Sequence, residues 1–267
     1  RCRADTGRRP RCGDGAMSTR INWADETINP IVGCIPISAG CDHCYAARFA
    51  SRGLTLNHRG VASHGMWNGK LRYDWSQLDK PLRWRKPRRI FLCSMSDVFN
   101  RKIPLPHLQR IVRRIQDCPQ HEWVILTKRP HIALEFFGTT EEPIPNLTLG
   151  VSVENEETAH ERIPILLQIP AARRIVSFEP ALGPVEFSAI WRWCPTHDFP
   201  GGFCHGPCPD ARRVDEIIAG PETGPGARPC DPAWLQSAAD QCRAAGVAFW
   251  LKAGTLPDGT CPREWCR

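Results

Sequence analysis

The sequence predicts an α/β fold in which parallel strands, joined by helices, form a partial or complete (β/α) barrel. Three observations lead to this prediction. Short runs rich in β-branched and aromatic residues alternate with amphipathic helical patterns. Polar residues follow these runs, as they do at the mouth of a parallel barrel. The composition, with 42% hydrophobic and 24% charged residues in 267, is typical of a globular chain.

The predicted elements follow one another along the chain. Residues 31–33 are the candidate first strand, and further strands are predicted at 89–94, 123–128, 147–153, 174–179, 215–219 and 248–252. Amphipathic patterns predict helices over residues 105–118, 156–168 and 231–245. Asp231 precedes a proline, as an N-cap often does, and Gly246 stands where a C-cap is expected.

Composition also bounds the organisation of the chain. Residues 1–16 are basic and lack periodicity, so we predict a disordered extension, native or appended, before a single domain over residues 17–267. No apolar run approaches the roughly 18 residues of a membrane span. We expect a cytoplasmic protein without a membrane partner, and its 14 cysteines reduced. The formal net charge of +7 permits a polyanionic partner without requiring one.

Three closely spaced cysteines, Cys34, Cys41 and Cys44, are the most informative motif. Three thiolates can hold an iron-sulfur cubane while one iron stays open to a substrate or cofactor. A structural zinc site requires four protein ligands, and the loop contains only one C-x-x-C pair. The motif therefore favours a cluster, with a zinc knuckle or reduced core thiols as the alternatives. The remaining cysteines in strand-like or helical contexts are predicted to be inert packing residues: Cys93, Cys118, Cys230 and Cys242.

Polar side chains stand at the ends of the predicted strands. In a parallel barrel these ends emerge on one face, so the side chains are expected to share one site. The alternative is that they cap helices and satisfy loop backbone. The set comprises Ser94, Ser96, Asp97, Thr127, Lys128, Arg129, Ser152, Glu154, Asn155, Glu179, Glu222 and Lys252.

A long connection over residues 51–88 mixes aromatic and basic side chains. Aromatic rings stack on bases and cations neutralise phosphates, so the mixture is typical of a single-strand or flipped-base surface. The alternative is that the tryptophans anchor a loop onto the barrel. The residues are Trp67, Lys70, Arg72, Tyr73, Trp75, Lys80, Arg83, Trp84, Arg85, Lys86 and Arg88.

A second interruption, over residues 191–213, is rich in cysteine and histidine. Cys194, Cys204 and Cys208 with a histidine such as His205 have spacings that a loop could bring together as a zinc site. Free thiols are the alternative. Cys261 and Cys266 are candidate ligands for this site or for another cluster.

Several motifs together resemble a known family, the phage-associated three-cysteine proteins of uncertain function, which in turn resemble the radical S-adenosylmethionine (SAM) enzymes. The resemblance covers about residues 20–255. The motifs are residues 33–34 (GC), 41–46 (CDHCYA), 67–70 (WNGK), 81–84 (PLRW), 94–99 (SMSDVF), 126–130 (LTKRP), 150–155 (GVSVEN) and 222–229 (ETGPGARP).

The resemblance implies a radical-SAM-like barrel with a [4Fe-4S] cluster on Cys34, Cys41 and Cys44. It further implies that SAM binds the fourth iron, and that reduction by an external electron donor yields a 5′-deoxyadenosyl radical. His43, Ser94, Ser96, Asp97, Ser152 and Glu154 are the implied cofactor contacts, and Lys128, Arg129, Glu179, Glu222 and Lys252 the implied substrate-side catalytic residues. The six-residue spacing between the first two cysteines, and His43 in place of an aromatic residue, depart from the commonest radical-SAM loop.

The sequence therefore leads to a radical-SAM-type enzyme that acts on a nucleic acid or nucleotide. Base modification and lyase-type DNA repair, such as photoproduct reversal, are the expected reaction classes. The alternative is a non-catalytic, zinc-stabilised nucleic-acid-binding protein. A third hypothesis is an iron-sulfur protein that acts only with a protein partner.

Overall fold

Seven parallel strands form a single sheet in the computed structural model, which describes residues 21–139, 142–190, 192–193 and 212–252. The strands are β1 (Glu26–Ile28), β2 (Arg89–Leu92), β3 (Glu122–Thr127), β4 (Leu147–Val153), β5 (Arg173–Phe178), β6 (Glu216–Ala219) and β7 (Ala248–Leu251). Each strand pairs with the next one along the chain, and the sheet curls into a half-barrel. The predicted partial (β/α) barrel is confirmed.

The two faces of the sheet carry different apolar clusters. Because side chains alternate along a strand, Ile90 and Leu92 pack under the helices, whereas Phe91 points to the inner face. The inner face is a smaller cluster, in which Phe91 contacts Trp23 with ring centroids 4.8 Å apart. The strands are therefore buried on both sides, as a parallel sheet requires.

In the described part of the chain, five α-helices accompany the sheet: α1 (Tyr45–Ser51), α2 (Leu105–Asp117), α3 (Pro130–Phe137), α4 (Glu156–Gln168) and α5 (Pro232–Ala245). The three predicted helices are confirmed. Asp231 caps α5 by accepting a hydrogen bond from the amide of Ala233 (2.9 Å), and Gly246 ends it with φ of 65°. The short helices α1 and α3 were not predicted, because seven or eight residues give too few turns for a clear apolar period.

The first strand was placed wrongly. Ile31–Val32 is a short strand outside the sheet and pairs antiparallel with Arg72–Tyr73. Glu26–Ile28 is the edge strand instead, and three residues are too few to give a readable alternation. The dipeptide Asn29–Pro30 follows it, and such a pair turns the chain away from the sheet.

The aromatic residues of the 51–88 connection pack against the barrel. Trp67 is buried, and Tyr73 stacks on Trp75 with centroids 5.6 Å apart. Trp84 meets the edge of His121, the residue before β3, at 5.8 Å. These rings therefore anchor the connection, and they do not form an open stacking surface.

The Cys/His-rich interruption leaves the sheet through a two-stranded ladder between Arg192–Trp193 and Arg212–Arg213. The four candidate ligands between these strands, and the C-terminal pair of cysteines, lie outside the described residues: Cys194, Cys204, His205, Cys208, Cys261 and Cys266. Within the described ranges, no helix has the length and hydrophobicity to cross a membrane.

Candidate functional site

A cavity lies at the carboxyl ends of the sheet strands. Its walls include Cys34, Cys41 and Cys44, and its floor is apolar, with Trp23 and Phe91 from the inner face of the half-barrel. It brings together all but Glu154 of the polar residues predicted as cofactor or substrate contacts: His43, Ser94, Ser96, Asp97, Lys128, Arg129, Ser152, Glu179, Glu222 and Lys252. The shared site expected from the strand ends is therefore present.

The start of the cysteine loop is fixed to the turn after β2. The amide of Gly33 donates to the carbonyl of Met95 (3.0 Å), and the Ser96 hydroxyl donates to the carbonyl of Gly33 (2.7 Å). The turn itself is held by the Asn29 side chain, which accepts from the Ser94 hydroxyl (3.2 Å). The hydroxyls of Ser94 and Ser96 thus shape the loop that carries Cys34.

A buried ion pair supports the same loop from below. Asp97 accepts hydrogen bonds from the Thr127 hydroxyl (2.7 Å) and from the guanidinium of Arg129 (2.8 Å). The other arm of Arg129 donates to the carbonyl of Ile35 (2.6 Å), directly after Cys34. Burial raises the pKa of the Cys34 thiol to about 11, so this thiol is protonated near neutral pH.

Cys41 sits beside a second charge network. The ammonium of Lys128 lies 3.5 Å from Cys41 Sγ and forms an ion pair with Glu154. Glu154 also pairs with Arg162 (3.1 Å) and accepts from Ser38 (2.8 Å). Burial raises the pKa of Cys41, but the Lys128 charge and hydrogen bonds in the loop outweigh it, so the pKa is lowered. Burial also raises the pKa of Glu154, but the positive charges of Lys128 and Arg162 outweigh it, so the pKa of Glu154 is lowered.

A third network closes the loop on the side of β6. Glu222 accepts from Arg228 (2.6 Å) and contacts His43 Nδ1 (2.9 Å). Arg228 also donates to the carbonyl of Ala39 (2.8 Å), inside the cysteine loop. Burial alone would raise the pKa of Glu222, but its hydrogen bonds with Arg228 and His43 lower it to about 2.

The opposite wall carries an ion pair between two strand ends. Lys252 follows β7 and pairs with Glu179, which follows β5. The Tyr45 ring lies 5.9 Å from the Lys252 ammonium, and its hydroxyl donates to the Ser94 carbonyl (2.9 Å). This wall remains open to a molecule in the cavity, since both charged groups line it.

The predicted residues thus fall into two groups. The first group forms the hydrogen bonds and ion pairs around the cysteine loop: Ser94, Ser96, Asp97, Lys128, Arg129, Glu154 and Glu222. His43, Ser152, Glu179 and Lys252 line the open part of the cavity. Sequence reasoning missed four supporting side chains, Ser38, Asn29, Arg162 and Arg228. Only Arg228 carried a signal, because it stands in the 222–229 motif.

The donor set suits a cluster better than a single ion. Among the described residues, no three cysteine, histidine or carboxylate groups converge closely enough to hold one metal ion. A cubane spreads three thiolates over three different irons, so its ligands need not meet at a point. Three cysteines on the wall of one cavity, one of them beside a cation, match that requirement. Cys93, Cys118 and Cys242 are buried packing residues, as predicted, whereas Cys230 is only partly buried and packs against the edge of the core.

Comparisons with known proteins give a family and a fold. A family model described as "protein of unknown function" matches residues 18–259. No sequence among the curated proteins matches the chain. A cysteine-to-serine variant of spore photoproduct lyase is similar in structure, with 11% identity and a TM-score of 0.50, over 91% of this chain and 80% of that one.

Two further solved structures of spore photoproduct lyase are also similar. A tyrosine-to-phenylalanine variant has 10% identity and a TM-score of 0.48, over 92% of this chain and 80% of that one. A complex with dinucleoside spore photoproduct has 12% identity and a TM-score of 0.46, over 79% of this chain and 59% of that one. In two other matches this chain spans 56% and 45% of the neighbour's length. At these identities the likeness concerns the fold alone.

Proposed function

The chain belongs to the DUF5131 family of proteins of unknown function, and we propose that it is a radical-SAM-type [4Fe-4S] enzyme. The observation that carries the proposal is the cavity at the strand ends, where three cysteines face an open, partly apolar space. The half-barrel fold is compatible with it, since spore photoproduct lyase shares the fold at a TM-score of 0.50. A related structure is described as holding bound AdoMet, which is consistent with the proposed cofactor.

In this proposal Cys34, Cys41 and Cys44 hold the cluster, and SAM occupies the cavity beside it. When both groups are bound and the cluster has taken one electron from an external donor, the chemistry that they would supply is hydrogen-atom abstraction by a 5′-deoxyadenosyl radical, with methionine as the other fragment of SAM. His43 and Ser152 line the space next to the cysteines and are the proposed cofactor contacts. The hydroxyls of Ser94 and Ser96 are already bonded within the protein, so we assign them to loop positioning.

The charged residues divide between positioning and substrate contact. Asp97 and Arg129 fix the backbone after Cys34, and Glu154 holds Lys128 against Cys41. We therefore assign Asp97, Arg129, Glu154 and Lys128, together with Glu222, to positioning of the cysteine loop. Glu179 and Lys252 line the cavity as an ion pair, and we propose that the Lys252 ammonium holds a proton for the substrate.

Water must be kept from such a site, because a radical and its substrate react with solvent. The inner-face cluster supplies an apolar floor: Trp23, Phe91 and Leu126 line the cavity, and Trp23 and Phe91 are buried. The floor also offers two aromatic rings, those of Trp23 and Phe91. We propose that the substrate is a nucleic acid or nucleotide, with base modification or a lyase-type repair reaction as the class.

The experiment is anaerobic reconstitution followed by metal, sulfide and SAM-cleavage assays. We expect about four irons and four sulfides per chain, as one cubane holds, and reductive SAM cleavage with dithionite as donor. Cys41→Ala should lose both iron and cleavage. Cys118→Ala, at the buried end of α2, is the matched control and should keep both.

Two outcomes would count against the proposal. Iron-free protein without SAM turnover would refute it. Zinc alone, with nucleic-acid affinity that falls steeply with salt and no SAM binding, would support the non-catalytic binding protein instead. Cluster binding without SAM cleavage until another protein is added would indicate an iron-sulfur protein that needs a partner.

A further inference from the structure

A shallow groove continues the cavity outward past the cysteine loop. Residues from α1, from the hairpin after it and from the loop after β6 line the groove, and His43 lines both the groove and the cavity. The lining set is Asp42, His43, Arg48, Arg52, His64 and Pro225, with Gly65 and Met66 at the hairpin. The groove and the cavity therefore meet at His43.

Helix α1 presents two rows of side chains beside the groove. Tyr45 and Phe49 are four residues apart and lie on one face, and both are exposed, at 46% and 42%. Arg48 and Arg52 have the same spacing, and both line the groove. Tyr45 also lines the cavity, so the aromatic row begins at the cavity and runs outward. Exposed aromatic rings next to cations form the arrangement that proteins use for unpaired nucleic-acid bases.

The tip of the hairpin over residues 62–67 is hydrogen-bonded to the end of α1. Ala62–Ser63 pairs with Met66–Trp67, and the two turn residues, His64 and Gly65, have φ of 50° and 77°. The amide of Gly65 donates to the Ser51 hydroxyl (2.9 Å) at the end of α1. The imidazole of His64 is thus carried on a turn that is tied to the arginine-bearing helix.

The arginines of the groove have no acidic partner. Within the part of the chain that the structure describes, no carboxylate lies within 4.0 Å of Arg48 or Arg52. The one acidic lining residue, Asp42, faces Arg228 at 3.5 Å. Among the described residues, Arg48 donates a long hydrogen bond to the carbonyl of Thr223 (3.5 Å). The groove is therefore electropositive and suits a polyanion.

We propose that this groove binds the phosphodiester backbone of a single-stranded nucleic acid, with Arg48 and Arg52 on phosphates and Phe49 stacked on an unpaired base. The strand would then deliver one base past His43 into the cavity. The inference rests on the proposed function for the role of the cavity, but the binding itself needs neither cluster nor SAM.

The basic residues at 83–88 are the rival surface, and they lie at the other end of the sheet. Trp84 contacts His121, one residue before β3 begins, and Arg88 pairs with Glu26, the first residue of β1. These contacts are at the amino ends of the strands, whereas the cavity is at their carboxyl ends. Arg83 and Arg85 are exposed there and serve as a control of equal charge.

The test is fluorescence anisotropy of a labelled single-stranded DNA oligonucleotide over a sodium chloride series. Losing two phosphate contacts should weaken binding of Arg48→Gln/Arg52→Gln roughly 10- to 30-fold at about 0.1 M salt and flatten the salt slope by about 1.4. Arg83→Gln/Arg85→Gln should bind like the wild type. Phe49→Ala should bind at least about fivefold more weakly with an unchanged slope, because stacking releases no counterions.

Each outcome decides the proposal. Wild-type affinity in Arg48→Gln/Arg52→Gln, or an equal loss in Arg83→Gln/Arg85→Gln, would overturn it. Duplex DNA that competes as well as the single strand would overturn the single-strand assignment. SAM cleavage without substrate separates the two proposals. It should persist in Arg83→Gln/Arg85→Gln. Its absence from the wild type would refute the proposed enzyme without affecting the test of nucleic-acid binding by the groove.

Discussion

Replacement of Asp97 by asparagine tests whether the buried network under the cysteine loop holds the site. Asp97 accepts from Thr127 (2.7 Å), from the amides of Phe99 (3.0 Å) and Lys128 (3.1 Å), and from Arg129 (2.8 Å). In Asp97→Asn an amide NH₂ would face other donors, and the Arg129 charge would be left without its partner. Breaking a buried ion pair in this way costs about 3–5 kcal/mol.

The assay is thermal and urea unfolding of the variant beside the wild type. For a chain of this size the loss corresponds to a decrease in Tm of about 6–20 °C. Asp240→Asn is the control, because Asp240 pairs with Arg243 (2.7 Å) where both side chains are about half exposed, and such pairs contribute about 0–1 kcal/mol.

The same variant should also loosen Cys34. Arg129 holds the carbonyl of Ile35, so a displaced guanidinium frees the backbone next to the thiol. We expect faster alkylation of Cys34 in Asp97→Asn than in the wild type. In the double variant Asp97→Asn/Arg129→Met the stability losses should be less than additive, since both charges are gone. A decrease in Tm no larger than that of Asp240→Asn would refute this account of the network.

Further predictions concern other parts of the fold. Gly150→Ala should destabilise by about 1–3 kcal/mol in urea unfolding, because its Cβ would lie 2.8 Å from the carbonyl oxygen of Ile175, which cannot move away; an unchanged midpoint would contradict this. Gly246→Ala should cost about 1–2 kcal/mol, because φ is 65° at this helix end. Glu222, with its pKa lowered to about 2, should stabilise the fold above about pH 4.5 by up to about 3 kcal/mol and lose this as pH falls towards 2. Glu222→Gln should therefore flatten the stability curve between those pH values, and a curve like that of the wild type would show that the carboxylate is not held this way.

Most of the sheet could be read from the sequence because its strands are buried on both faces. Continuous apolar runs such as residues 123–126 identify such strands without knowledge of their partners. Helix caps such as Asp231 and Gly246 are local, so their positions were also predictable. The three-residue edge strand and helix α1 were missed, because their length is fixed by contacts with distant segments and not by a local period.

The gathering of the polar strand ends in one cavity likewise followed from the sequence, because parallel strands all end on the same face. The contacts that each of these side chains makes could not be predicted from the sequence. Whether Glu154 faces an open cavity or two cations depends on Lys128 and Arg162, which reach it from other elements. The tertiary structure also decided that the tryptophans of the 51–88 connection anchor it, and that Arg48 and Arg52 line the groove next to the cavity. The residue types and the order of the strands along the chain can be read from the sequence. The partners of a charged group, in contrast, are side chains that lie far apart in the sequence and meet only in the folded protein.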